Sequence, residues 1–191
     1  EGPIRLVSTD AQVREILPLL MKEPLLGFDT ETKACFRKGE SYLPSLVQLA
    51  AGSAVYLIQL GGLGDLSWFD GLFANADIIK AGVSLQYDVR KLKDLRSFAP
   101  EGFVDLAKLA DRAGIKNNGL RGLAAVVLGG RITKGAQRSD WSRSELSSHQ
   151  ILYAATDAWV SREIYLKLSS YAQFEVQPGE EAAKLPPDSS S

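Results

Sequence analysis

The stretch LGFDTE at residues 26–31 is an apolar run that ends in two carboxylates one residue apart. Side chains alternate between the two faces of a β-strand, so a strand here would direct Asp29 and Glu31 to one face and Phe28 and Thr30 to the other. Two carboxylates in one small space raise each other's pKa unless a cation lies between them. The spacing therefore indicates either half of a metal site or two acids that end a strand in solvent.

The composition is typical of one globular domain. The 191 residues are 45% hydrophobic and 24% charged, which is enough to form a substantial core. The net charge is −1, so binding of nucleic acid would have to rest on local basic patches or on metal ions.

Cysteine content and hydropathy indicate the compartment. The single cysteine, Cys35, fits a reducing environment, and we find no secretory leader and no apolar run of about 18 residues. We therefore expect an intracellular protein that does not insert into a membrane. It would be cytoplasmic in a bacterium, with the nucleus as a further option in a eukaryote.

The hydrophobic periodicity predicts strands first and then alternating strands and helices, which is typical of an α/β fold with a mixed central sheet flanked by helices. We expect residues 1–171 to form the domain, and residues 172–191, rich in Glu, Pro and Ser, to be a disordered tail. The predicted strands cover residues 4–7, 25–30, 46–50, 54–58 and 78–83. The first predicted helix is capped by Ser8 or Thr9 and runs through Val13 to Leu20, and the other predicted helices cover residues 68–73, 85–96, 106–113, 120–128 and 150–168.

Two further acids interrupt apolar helix stripes. Asp88 falls between Leu85 and Leu92 on the face that would meet the core. Asp157 lies one turn after Tyr153, on a face of the last helix that continues with apolar residues. An ionised carboxylate facing a core is costly unless it is paired or binds a metal. The alternatives are a buried acid satisfied by an amide or an arginine, and a tyrosine that only packs.

Taken together, Asp29, Glu31, Asp88 and Asp157 are four carboxylates that could meet at one site. Without cations such a cluster would be destabilised by several kcal/mol, whereas Mg²⁺ or Mn²⁺, which prefer oxygen ligands, would offset the repulsion. The set therefore predicts a metal-dependent nuclease.

The motifs resemble those of the DEDD superfamily of exonucleases, in the subclass that has tyrosine in the third motif. Within that superfamily the chain is most similar to the exonuclease domain of the Werner syndrome protein and, more distantly, to ribonuclease D. Two residues depart from the common pattern, Thr32 after the first motif and Ser84 in the second. The three motifs are GFDTE at 27–31, AGVSLQYD at 81–88 and YAATD at 153–157, with support from SLVQLA at 45–50, GLRGLAAVVLG at 119–129 and SDW at 139–141.

The resemblance implies a ribonuclease H-like fold and a 3′ to 5′ exonuclease that releases nucleoside 5′-monophosphates from single-stranded or recessed 3′ ends of DNA or RNA. It implies two Mg²⁺ or Mn²⁺ ions per site, one activating water and one stabilising the leaving oxygen. Asp29, Glu31, Asp88 and Asp157 would be the ligands, with Asp88 acting more remotely through water. Tyr153 would orient the nucleophile.

Substrate contacts are predicted from a basic loop, residues 131–143, and from the segment after the first motif. Solvated surface loops are the alternative for both, and we expect Arg90, Lys91 and Lys93 to be surface residues. Nothing in the sequence indicates a protein partner. The predicted substrate-binding residues are Thr30, Phe36, Tyr42, Lys134 and Arg138.

Two other functions use the same residues differently. A nucleic-acid-binding module on this fold without turnover would keep the basic loops but has little reason to keep all four acids and Tyr153. A metal-dependent phosphatase or endonuclease would use the same ions, and it would differ in cutting closed circular substrates.

Overall fold

A computed structural model describes residues 2–35, 37, 39–133 and 135–170. Within these ranges the chain forms six strands and six α-helices. The strands are β1 (Ile4–Val7), β2 (Leu25–Thr32), β3 (Pro44–Ala50), β4 (Val55–Gln59), β5 (Ile79–Gly82) and β6 (Phe103–Asp105). The helices are α1 (Asp10–Leu20), α2 (Trp68–Leu72), α3 (Leu85–Leu95), α4 (Leu106–Arg112), α5 (Leu120–Leu123) and α6 (Ser148–Ser169).

The six strands make one mixed sheet in the order β1-β4-β3-β2-β5-β6. Strands β2, β3 and β4 form an antiparallel meander, while β1 pairs with β4, and β5 with β2 and β6, in parallel. This confirms the predicted α/β class, with a mixed sheet and helices packed on it.

The strand β2 lies inside the sheet, and its alternation decides which helices pack on which face. Leu26 and Phe28 point to one face, where they join an aromatic core with Phe69 and Phe73 under α1, α2 and α3. The opposite face is covered by α4, α5 and above all α6. A helix on each side therefore approaches the end of β2, where the two acids lie.

The structure differs from the predicted elements in two places. The strand β6 was not predicted, because three residues are too short for a periodic signal and the strand exists only through its pairing with β5. The helix predicted over 120–128 begins as α5 and continues as a π-helical segment, Ala124–Leu128. The predicted tail, 172–191, lies outside the described residues, so the domain boundary stays a prediction. None of the described helices combines the length and the apolar composition that a bilayer crossing requires.

Candidate active site

The first two acids are placed by β2. Glu31 is buried, with 8% of its surface exposed, and Asp29 is partly buried. In the ladder with β3, Asp29 stands opposite Gln48 and Glu31 opposite Leu46. Directly opposed residues share a face of the sheet, so both acids project toward α6, as the alternation predicted.

The third motif is carried by α6, which begins at a capping box. The Ser147 hydroxyl accepts from the backbone N–H of Gln150, and the Gln150 side chain accepts from the Ser147 backbone. Six and ten residues beyond Ser147, the helix turns Tyr153 and then Asp157 toward the sheet, and the tyrosine hydroxyl donates a hydrogen bond to the Asp157 carboxylate. Asp157 is 6% exposed.

Gly27 lets α6 lie directly on β2. A Cβ atom built on this glycine would lie 2.0 Å from the carbonyl oxygen of Ala158 and 2.8 Å from the backbone nitrogen of Arg162. Real side chains do not approach backbone atoms this closely, so residue 27 has to be glycine for the helix to sit where it does. The close packing brings the acids of β2 and of α6 together.

The second motif reaches the site from the other side of the sheet. The helix α3 starts after Ser84, whose backbone is left-handed (φ 59°, ψ 38°). In the first turn, Asp88 accepts a hydrogen bond of 2.5 Å from the hydroxyl of Thr30, the residue between the two acids of β2. Asp88 therefore lies beyond Thr30, next to the cleft but not among the residues that line it.

Asp29, Glu31, Asp157 and Tyr153 line a cleft of about 420 Å³. One wall is formed by β2 and α6, and the other by the start of α5 and the segment before α6. The lining residues are Asp29, Thr30, Glu31, Val83, Gly119, Leu120, Arg121, Gly122, Ile132, Thr133, Gln137, Tyr153, Asp157 and Ser161. The cleft thus joins the first and third motifs, with the second motif behind Thr30.

Burial raises the pKa of every carboxyl group in this set, and repulsion within the set adds to the shift at Asp29 and Glu31. Burial, followed by the charges of Asp29, Asp157 and Asp88, raises the pKa of Glu31 to about 9. The pKa of Asp29 is raised well above its usual value by burial and by Asp88 and Asp157. Burial raises the pKa of Asp157 to about 6, although the Tyr153 hydroxyl and Arg121 oppose the shift. Such a set is costly to ionise, and a bound cation would lower these pKa values and stabilise the charged carboxylates.

The carboxylate oxygens of this set are of the kind that bind divalent metals, but the side chains are not arranged around a common point. Among the described residues, no group of three or more acid, histidine or cysteine side chains is arranged to hold a metal ion. Instead Asp29 accepts from the backbone N–H of Thr30, at 2.9 Å, and Asp88 and Asp157 accept from neighbouring hydroxyls. Opposite Asp29, both polar atoms of the Gln48 amide are buried without a hydrogen-bond partner. Orphaned polar atoms beside clustered carboxylates indicate a place for water or an ion.

The predicted substrate residues are not all in the cleft. Thr30 lines it, whereas Arg138 is exposed and is not a lining residue. Tyr42 is partly buried, with the Lys33 ammonium 5.5 Å from its ring centroid. Phe36 and Lys134 lie outside the described residues.

Several lining residues were not among the predicted site residues. Arg121 lines the cleft and its charge acts on Asp157, but in the sequence it entered only as part of the supporting segment 119–129. Gln137 belongs to the basic loop that was predicted to contact substrate, although Lys134 and Arg138 were the predicted contacts in that loop. His149, the histidine of this chain, is exposed near the start of α6 and does not line the cleft.

Comparison with known proteins decides the family. A family model described as 3′–5′ exonuclease matches residues 4–172, which is nearly all of the described chain. The chain belongs to the 3′–5′ exonuclease family. This confirms the predicted family, for which dependence on divalent metal is typical.

Individual members of the 3′–5′ exonuclease family agree with this assignment. Ribonuclease D of Haemophilus influenzae is 30% identical over 164 residues, which are 84% of this chain and 40% of that protein. The bifunctional 3′–5′ exonuclease/ATP-dependent helicase WRN of Mus musculus is 33% identical over 154 residues, 76% of this chain and 11% of that protein. The chain thus spans less than half the length of these relatives.

The fold is also that of a 3′–5′ exonuclease. The crystal structure of Trypanosoma brucei RNase D in complex with RNA U12 superposes with a TM-score of 0.82 at 20% sequence identity. The match covers 93% of this chain and 66% of that chain.

Proposed function

We propose that this domain removes nucleotides one at a time from the 3′ end of DNA or RNA, with two Mg²⁺ or Mn²⁺ ions held by the four carboxylates. The observation that carries the proposal is the meeting of Asp29, Glu31 and Asp157 with Tyr153 in one cleft, in a chain of this family. Each of these carboxyl groups has a raised pKa, so each gains from a cation.

The metal ions, when bound, would activate water and stabilise the leaving 3′ oxygen. Asp29, Glu31 and Asp157 are the proposed ligands in the cleft, and Asp88, held by Thr30, would act on the ions through water. The unpaired amide of Gln48 could hold such a water next to Asp29.

Tyr153 would position the attacking water without taking its proton. Burial and the charges of Asp157 and Glu31 raise the pKa of its hydroxyl, so the group stays protonated in neutral solution. A protonated hydroxyl can donate to a carboxylate and accept from water, which fixes the direction of attack.

Arg121 is the side chain in the cleft that best fits a phosphate of the terminal nucleotide. It is partly buried and carries its charge on the wall opposite the acids. A guanidinium group offers two parallel donors to phosphate oxygens. Thr30 and Tyr42 remain proposed contacts, as do Arg138, Phe36 and Lys134 in the two basic segments.

The nucleic acid itself is tested with both DNA and RNA. One relative's structure is titled as a complex with RNA, and another relative is named as an exonuclease joined to a helicase. A protein distinguishes RNA from DNA by contacts to the 2′ hydroxyl, so the two substrates are compared directly.

The test uses matched single-stranded DNA and RNA labelled at the 5′ end or at the 3′ end. With Mg²⁺ or Mn²⁺, the 5′-labelled strands should give a ladder of products that shorten from the 3′ end, and EDTA should stop the reaction. The variant Asp29→Ala should lose activity by at least about a thousandfold, because a proposed ligand is removed. The control is Asp77→Ala, which changes an exposed acid before β5 and should behave as wild type.

Other outcomes select the alternatives. Strands that are retarded but intact would indicate a binding module without turnover. Cleavage of a closed circular substrate would indicate an endonuclease. Full activity of Asp29→Ala would contradict the proposed site.

A further inference from the structure

A tyrosine within the second motif is exposed and has two cations close to its ring. Tyr87 lies in the first turn of α3, directly before Asp88, and is 50% exposed. The Arg90 guanidinium carbon is 5.5 Å from its ring centroid, and the Lys91 ammonium is 5.8 Å from it. Both cations are within the range of a cation–π interaction. The ring is therefore held in place while half of its surface faces solvent.

Lys91 is not the free surface residue that the sequence predicted. Its side chain is only 16% exposed, and its ammonium donates a hydrogen bond of 2.7 Å to the Ser41 hydroxyl and lies 3.8 Å from Asp94. This contact ties α3 to the segment that follows the first motif. The segment leaves β2 directly after the acids, and the residue after Tyr87, Asp88, is hydrogen-bonded to Thr30, which lines the cleft.

The same segment carries a second aromatic and cationic pair. The Tyr42 ring, next to Ser41 in sequence, lies under the Lys33 ammonium. The pKa of Asp140, in the loop before α6, is lowered by hydrogen bonds from Ser142 and also by the charge of Lys33. The Lys33 ammonium therefore lies between the Tyr42 ring and this loop. We call the surface formed by Lys33, Tyr42, Tyr87, Arg90 and Lys91 the aromatic–cation surface.

We propose that the aromatic–cation surface binds the part of the substrate strand upstream of the 3′ nucleotide, with an unpaired base stacked on Tyr87 and a backbone phosphate on the exposed Arg90. The inference rests on the proposed exonuclease function and adds to it the path of the strand outside the cleft. Aromatic rings alternating with cations are how proteins grip single strands without sequence preference, since every base has a face that can stack.

Charge and chemistry favour a nucleic acid over a protein partner here. The chain has a net charge of −1, so attraction of a polyanion depends on local clusters of this kind. An acidic polypeptide would be bound by the cations alone, whereas a half-exposed ring between two cations adds a stacking face that matches a base.

The experiment separates upstream contacts from chemistry by substrate length. Initial rates are measured for a trinucleotide and for an unstructured oligonucleotide of about 15 nucleotides, which exceeds the reach of the cleft. The variants are Tyr87→Ala, Tyr87→Phe, Arg90→Gln and, as a matched aromatic control, Trp159→Ala. Trp159 is 39% exposed on α6 and, at 100° per residue, points away from the face that carries Asp157.

Tyr87→Ala should raise KM for the long substrate about tenfold with little change in kcat, and should change KM for the trinucleotide by less than about twofold. Tyr87→Phe should restore the long-substrate KM, because the stacking face returns. Arg90→Gln should raise KM and weaken its dependence on salt. Binding of the fluorescent long strand in EDTA, followed by anisotropy, should show the same order of affinities without any turnover.

Three results would overturn the inference. The first is equal KM and equal binding for wild type, Tyr87→Ala and Arg90→Gln. The second is an equal loss in Trp159→Ala or on the trinucleotide. The third is binding of polyglutamate, but of no oligonucleotide, to this surface, which would identify an acidic polypeptide as the partner. A different result would separate the two claims. If the wild-type protein shortens no strand but binds the long strand through Tyr87, the proposed function is contradicted and the binding role of this surface is supported.

Discussion

Tyr153 keeps its proton in a cleft crowded with carboxyl groups, where a phenolate would add to the negative charge. The hydroxyl is surrounded by Asp157, Glu31 and Asp29, and its pKa is raised by burial first and by these charges next. A group in this state cannot act as the base that deprotonates water at neutral pH. Its value to the reaction would lie in the direction in which it holds a water molecule.

Replacing Tyr153 by phenylalanine should therefore lower kcat by about 10- to 100-fold, because the water loses an orienting partner. The concentration of Mn²⁺ that gives half-maximal rate should stay close to that of wild type, since no proposed ligand is removed. The two quantities come from one titration of rate against Mn²⁺. Equal rates in the two proteins would make the tyrosine a packing residue.

The cleft residues that the sequence predicted are those whose chemistry contradicts their pattern. Asp157 stands on an apolar face of a helix, and Asp29 and Glu31 end an apolar strand, so local periodicity alone made them conspicuous. Gln48 and Arg121 gave no such local signal, because a lone polar residue in a strand or a short helix is common. They entered only as members of the supporting segments 45–50 and 119–129. Their importance appears only when the fold places them against the acids.

The contact between β2 and α6 is the element packing on which the site most depends. The helix lies so close to Gly27 that no side chain fits, and Asp157 is one residue from the carbonyl that a new methyl group would meet. A side chain at residue 27 would force α6 away from β2, and this would move the third motif away from the first.

Gly27→Ala should therefore destabilise the fold by about 1–3 kcal/mol and reduce activity far more than the stability loss explains, by about a hundredfold. Gly71→Ala is the matched control, because the glycine lies in α2 and a Cβ there would meet nothing within 4 Å. Urea unfolding and initial rates are measured for both variants. Wild-type activity in a stably folded Gly27→Ala protein would show that this packing does not position the acids.

A buried lysine in β5 gives the protein a second pH-dependent element away from the cleft. Lys80 is fully buried, its ammonium donates to the carbonyl of Asn75 at 2.7 Å, and it lies 5.2 Å from the Phe103 ring centroid. Burial lowers its pKa from 10.5 to about 7, against the opposing charge of Glu101. The folded state thus releases a proton that the unfolded state keeps between about pH 7 and pH 10.5.

The unfolding free energy contributed by Lys80 should rise with pH across that window and be lost as pH falls to 7, since the unfolded state binds more protons there. The Lys80→Met variant should lack this rise. The measurement is urea unfolding of both proteins at pH 7 and pH 9.5, where the difference between them should change by an order of a few kcal/mol. Taking the difference removes the titration of the carboxylates, which the two proteins share. A difference that stays constant with pH would contradict the assignment.

Most elements followed from periodicity, and the exceptions have a common cause. The strand β6 spans three residues and is defined by its register with β5, Lys80 opposite Phe103 and Gly82 opposite Asp105. The π-helical segment after α5 has the same apolar spacing as an α-helix. Both depend on contacts with neighbouring elements, which a local sequence pattern does not contain.

The complete fold brings together groups that are far apart in the sequence. The order β1-β4-β3-β2-β5-β6 places β2 inside the sheet, with α3 reaching its end from one face and α6 from the other. Local patterns predicted the strands and helices, whereas the convergence of the three motifs was implied by the family resemblance. The order of strands depends on long-range pairing, which no single stretch of this chain encodes.

The convergence has an energetic consequence for the protein as a whole. Clustered, buried carboxylates repel one another in the folded chain but not in the unfolded chain, so a cation that binds only the folded state should stabilise it by linkage. The fold therefore keeps together charges that only a bound cation would fully neutralise.

The most direct measurement is a crystal of the wild-type protein soaked in Mn²⁺, with anomalous scattering recorded at the manganese edge. We expect anomalous density in the cleft, within bonding distance of carboxylate oxygens of Asp29 and Asp157, with Glu31 turned toward it. Anomalous density elsewhere, or none in the cleft at a Mn²⁺ concentration that saturates activity, would contradict the account.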